Sequence, residues 1–98
     1  MAKQLTDLDD LYSGDAVWRA FARLFVGQLD RCPFAEELKR LLGGDEELAN
    51  VVVGTVGDDA LRWIRQDIPA LSDLSPVECV ASVMTLNRLR EMLLRMPR

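Results

Sequence analysis

At 98 residues the chain is long enough for one hydrophobic core and too short for two, so it reads as a single domain, 1–98. Its 49% hydrophobic and 29% charged residues match a folded globular protein rather than a disordered tail, and no apolar run approaches the roughly 20 residues of a membrane span. The net charge of −4 weighs against a surface built as a whole for phosphate backbones, but it is unevenly spread: residues 1–61 carry six basic and twelve acidic side chains, and residues 75–98 carry four arginines against Glu78 and Glu91.

Residues 1–14 hold Leu5, Leu8 and Leu11 at threefold spacing among Asp7, Asp9 and Asp10, which fits either a short helical turn or a flexible arm. From Asp15 to Leu29 the apolar residues Val17, Phe21, Leu24, Phe25 and Leu29 recur at helical spacing. Trp18, Ala20, Ala22 and Val26 widen that face, so this helix is expected either at the centre of the core or shared with another subunit. A second, short helix is expected over Pro33–Leu42, opened by proline, with Glu36 and Glu37 near its start, Lys39 and Arg40 near its end, and Gly43-Gly44 as the stop.

Asp45, Glu46 and Glu47 open a third helix with Leu48, Val51, Val52 and Thr55 on one face; the β-branched run Val51–Val56 also suits a strand, but a lone strand would lack a partner. After Gly57, a helix through Ala60, Leu61, Trp63 and Ile64 fails near Asp67, because Pro69 restricts Ile68. Leu71 and Leu74 then fall in a loop. Ser75-Pro76-Val77-Glu78 has the form of a capping box, with Val77, Val80, Ala81 and Met84 as the expected buried face. A last helix is expected from Leu86 or Asn87, with Leu86, Leu89, Leu93 and Met96 on one stripe, up to Pro97. The fold class expected is all-α, a small bundle of five to six short helices.

The residues that usually carry chemistry are sparse. There is no histidine, the commonest general base and metal ligand. Cys32 and Cys79 form no close pair and read as small buried hydrophobes, and with no signal-like N-terminus the cytoplasm is the expected compartment. The glycines match neither a P-loop nor a dinucleotide fingerprint. The acidic clusters Asp45–Glu47 and Asp58-Asp59 stand at expected helix N-termini, where dipole compensation explains them better than a metal site. Neither an enzyme nor a cofactor or metal is therefore expected, and the chain reads as a binding module.

Ala60-Leu61-Arg62-Trp63-Ile64, then Pro69-Ala70-Leu71, then Leu74-Ser75-Pro76-Val77-Glu78, then Leu89 through Leu93 to Met96, follow an order that resembles the toxin-binding domain of the Xre/MbcA/ParS family of bacterial antitoxins. The likeness covers about residues 57–96. It departs from the family pattern before the final helix, where glycine is common and this chain has Thr85-Leu86-Asn87, and at Pro97-Arg98. The resemblance implies an antitoxin that pairs with a RES-type, NAD-degrading toxin and covers its active site. The contacts it suggests are Arg88, Arg90, Arg95 and Arg98, with Trp63, Leu71, Ser75, Pro76, Leu89 and Leu93 as structural support. Two other readings stand beside it: a DNA-binding regulator, from the helical front half, and a self-associating adaptor or homo-oligomer, from the wide apolar face around Trp18–Leu29.

Overall fold

In the computed structural model, which describes residues 12–96, regular structure is helical throughout apart from one isolated antiparallel bridge between Ile68 and Leu74. α1 spans Asp15–Ala22 and continues as a 3₁₀ turn, Arg23–Phe25. It stops short of Leu29 because Val26 turns extended, with ψ 133°, and Gly27 takes φ 94°, a value that costs a glycine no Cβ clash. Leu29 is buried all the same, in a separate turn, Leu29–Arg31, whose first N–H donates to the buried Asn50 Oδ1 at 2.8 Å. α2 spans Ala35–Leu41, two residues beyond Pro33, and ends where the Gly44 N–H reaches back to the Lys39 carbonyl at 2.8 Å.

α3, Glu46–Val56, settles the β-branched stretch as helix. Asp45 caps it by accepting the Leu48 N–H at 3.0 Å, and Glu46 and Glu47 sit at its positive end. Leu48, Ala49, Val51 and Val52 are all fully buried, because α3 packs against α1, α2 and the segments after it. It is therefore α3, not α1, that forms the central helix. Gly54 belongs to this packing: a Cβ there would overlap the Phe25 ring, which lies across the helix.

The chain then turns through Gly57–Asp59 into α4, Ala60–Trp63, a single turn that ends earlier than expected. Pro69–Leu71 forms a 3₁₀ turn, and the Ile68 N–H donates to the Leu74 carbonyl at 3.0 Å to close the loop. α5 covers only Pro76–Cys79, opened by the complete Ser75–Glu78 capping box. α6, Val83–Arg95, begins three residues before Leu86, because Ser82 caps it by accepting the Thr85 N–H at 3.3 Å. This new start redirects the chain, so the buried residues of α5 are Pro76 and Cys79. Val77 and Val80 are half-buried, and Ala81 and Met84 face outward, contrary to expectation. Leu89 and Leu93 of α6 close the core over Leu71, Ile64 and Trp18. No described helix is long and apolar enough to cross a membrane.

Candidate partner-binding surface

Residues 60–96 form a helix, a closed loop, a capped turn of helix and a final long helix, held together by specific bonds. The Val77 N–H donates to the Ile64 carbonyl at 3.0 Å, which hangs α5 on α4. The Thr85 hydroxyl donates to the Cys79 carbonyl at 2.6 Å, which fixes the start of α6 to the end of α5. Ser75 accepts the Glu78 N–H at 3.3 Å, while Glu78 Oε1 accepts the Ser75 N–H at 2.8 Å. Of the expected supports, Leu71, Pro76, Leu89 and Leu93 are fully buried and Ser75 is buried; Trp63 is half-buried against the core. The tryptophan inside the core is Trp18, 1% exposed.

The four expected arginine contacts do not share one surface. Arg88 donates to Ser72 Oγ at 2.8 Å, tying α6 to the loop at a residue held in a left-handed conformation, φ 59°. Arg90 turns inward. Its guanidinium lies 5.7 Å from the centre of the Trp18 ring, 3.7 Å from the Asp15 carboxylate and 3.6 Å from that of Asp45. It thus fastens α6 to the start of α1 and the cap of α3, a use of arginine's flat, multiply donating head. Among the described residues, the buried Trp18 Nε1 and Arg90 Nε find no hydrogen-bond acceptor. Arg95 reaches outward, and its Nε donates to Glu91 Oε2 at 2.7 Å. Arg98 lies outside the described residues, as do residues 1–11 of the expected N-terminal arm.

Glu91 is the residue that sequence reasoning missed. It is 2% exposed, and its carboxylate accepts the Ser13 N–H at 2.9 Å and the Ser13 hydroxyl at 3.4 Å in addition to Arg95. Burial alone would raise its pKa; the bonds from Arg95 and Ser13 outweigh burial and hold the carboxyl below its ordinary value. The one available signal was its i, i+4 spacing to Arg95, which predicts a pair but not burial. Nearby, burial and a hydrogen bond to Asp15 raise the pKa of Tyr12. Burial pushes the Cys79 thiol up to about 11, so it is neutral near pH 7 and a poor nucleophile.

Two apolar surfaces remain open to solvent. Val17, Leu24 and Val26, exposed by 48%, 77% and 74%, face away from the core on α1 and the turn after it. Val83 and Met84 do the same at the start of α6. On α6 the residues Met84, Arg88, Glu91 and Arg95 follow i, i+4, i+7 and i+11 on the side away from Leu89 and Leu93, and along this stripe Met84 and Arg95 are exposed, Arg88 is half-buried and Glu91 is buried beneath Ser13. No pocket opens among the described residues, and they contain no group of three or more acidic or cysteine side chains arranged to hold a metal ion. The functional candidates are therefore surfaces. Comparisons with family models, curated proteins and solved structures found no match to this chain.

Proposed function

We propose that the chain is a helical protein-binding module of antitoxin type, which neutralises a RES-type, NAD-degrading toxin by laying α6 and its supporting loop over the toxin's active site. The observation that carries this reading is the unit 60–96, in which the residues of the resemblance take mutually dependent places. Leu71 and Pro76 are buried beneath α6, the Ser75 box sets α5, and Arg88 joins α6 to the loop. Such a unit fixes a helix rigidly enough to present one face, and rigidity lowers the ordering cost of binding. Met84 and Arg95 are exposed on α6 and Arg88 is half-buried between them, which gives an apolar start and a basic remainder that suit an acidic or phosphate-binding mouth. Arg90 is left out of the contact set, since it is occupied between α1 and α3.

Self-association is the second reading, and the exposed Val17, Leu24 and Val26 favour it as an additional property. The DNA-binding reading has less support, because α3, the longest helix of the front half, is packed on several sides and carries no basic residue. Co-expression with a RES-type toxin encoded beside this chain tests the proposal: growth and cellular NAD should be restored by the intact chain. Continued NAD loss with both proteins present and folded would overturn it.

A further inference from the structure

We infer that the bare strip on α1 and the turn after it docks an acidic amphipathic helix of a partner protein, at a surface separate from the α6 stripe. Ala16, Ala20 and Leu24 follow i, i+4 and i+8, with Val17 beside them, and all four are exposed. Trp18 and Ala22 hold the opposite side of the helix in the core, so the fold itself makes no use of this face. Val26, 74% open, extends it beyond the turn. A contiguous apolar face of this kind marks an interaction site, whereas single exposed apolar residues do not.

Charge decides the occupant. Arg19 and Arg23, four residues apart, run down one edge of the strip, and both are exposed. Among the described residues no carboxylate lies within salt-bridge reach of either, whereas Arg62, Arg65, Arg90 and Arg95 each meet one. Asp15, which stands four residues before Arg19, is turned instead to Tyr12 at 3.0 Å and to Arg90 at 3.7 Å. The strip therefore presents apolar side chains along its middle and two unmet positive charges on its edge. A helix with leucines at i, i+4 and i+7 and glutamates beside them matches both features, its apolar ridge on the strip and its carboxylates on the guanidiniums. A second copy matches less well, because antiparallel pairing of two such strips about a two-fold axis lines up four arginines along one edge. An anionic bilayer also matches less well, since alanines and valines offer no bulky aromatic side chain to insert.

The test uses the full chain and two synthetic helical peptides of about 18 residues, long enough to hold a helix: one with a leucine stripe flanked by glutamates, the other with lysines in place of the glutamates. The glutamate peptide should shift the amide resonances of Val17, Ala20, Leu24 and Val26 and bind at least tenfold more tightly than the lysine peptide. In the Arg19→Glu/Arg23→Glu double variant, whose changes fall on exposed sites, that order should reverse. Equal affinity for the two peptides, shifts centred on Val83 and Met84, or an order that the folded double variant leaves unchanged would overturn the inference. So would resonances of Val17 and Leu24 that move when the chain alone is diluted, which would give the strip to a second copy. Binding to phosphatidylserine vesicles that Leu24→Asp abolishes, with neither peptide bound, would equally overturn it and give the strip to a membrane.

Discussion

Leu24 on the turn after α1 is 77% exposed, and Glu91 on α6 is 2% exposed, so of the two segments held together at Arg90 one runs on into a bare leucine and the other buries a carboxylate. Residue type did not decide these places. Glu91 is buried because Ser13 and Arg95 supply donors to both of its oxygens, and a paired, hydrogen-bonded charge tolerates loss of water. Leu24 is bare because α1 already spends Trp18 and Ala22 on the core, and the chain leaves helical geometry at Val26 before anything can fold over its outer side. An apolar face wider than one neighbour can cover is thus a sign of surplus, and surplus apolar surface is what interaction sites are made of.

The comparison can be broken first at its buried side. Leu93→Ala should cost about 2–5 kcal/mol in chemical denaturation, since Leu93 is fully enclosed. A loss below about 1 kcal/mol would mean that α6 does not close the core. Gly54→Ala comes next. In an ordinary helix interior this change stabilises by up to about 1 kcal/mol, but here the added Cβ meets the Phe25 ring, so a loss of about 1–3 kcal/mol is expected. Combining it with Phe25→Ala should remove most of the extra cost, which a double-mutant cycle measures directly.

Much of this was legible beforehand, for local reasons. Asp45, Ser75-Pro76-Glu78 and the paired glycines after Leu42 announce their helix ends through short-range bonding, and the structure uses them all. The α6 stripe of Leu89 and Leu93 follows from spacing alone. Long-range facts were not legible. Nothing local to Val51 and Val52 places them in the central helix, and nothing local to Arg90 says that Trp18, Asp15 and Asp45 will converge on it. The stop of α1 depends on Gly27 adopting a left-handed conformation, which the apolar pattern running on to Leu29 concealed. On the candidate surface, Arg88 and Arg95 emerge on one stripe while Arg90 does not, because a spacing of two residues turns a helical side chain by about 200°.

Glu91→Gln sharpens the comparison through pH. Replacing the carboxylate should cost about 1–3 kcal/mol at neutral pH, because Arg95 and Ser13 lose a charged acceptor. The folded-state pKa of Glu91 is depressed, so its contribution is present above the unfolded value of about 4.3 and lost as pH falls through the folded one. Thermal melts of the native chain and the Gln variant should accordingly converge as the pH drops below about 4; a constant gap would place the effect elsewhere. Smallest of all, Leu24→Lys should change stability by no more than about 0.5 kcal/mol, as expected of an exposed site, and a larger loss would show that the α1 strip is covered.

Titration of the purified chain into a RES-type toxin, with NAD consumption followed directly, tests the binding reading most sharply, because it compares the two surfaces in one assay. The expected result is inhibition that reaches completion near one chain per toxin, weakened at least tenfold by Met84→Asp on the α6 stripe, a cost of about 1.4 kcal/mol, and unchanged by Leu24→Lys on the turn after α1. Undiminished NAD consumption at saturating concentrations of the folded chain would contradict it.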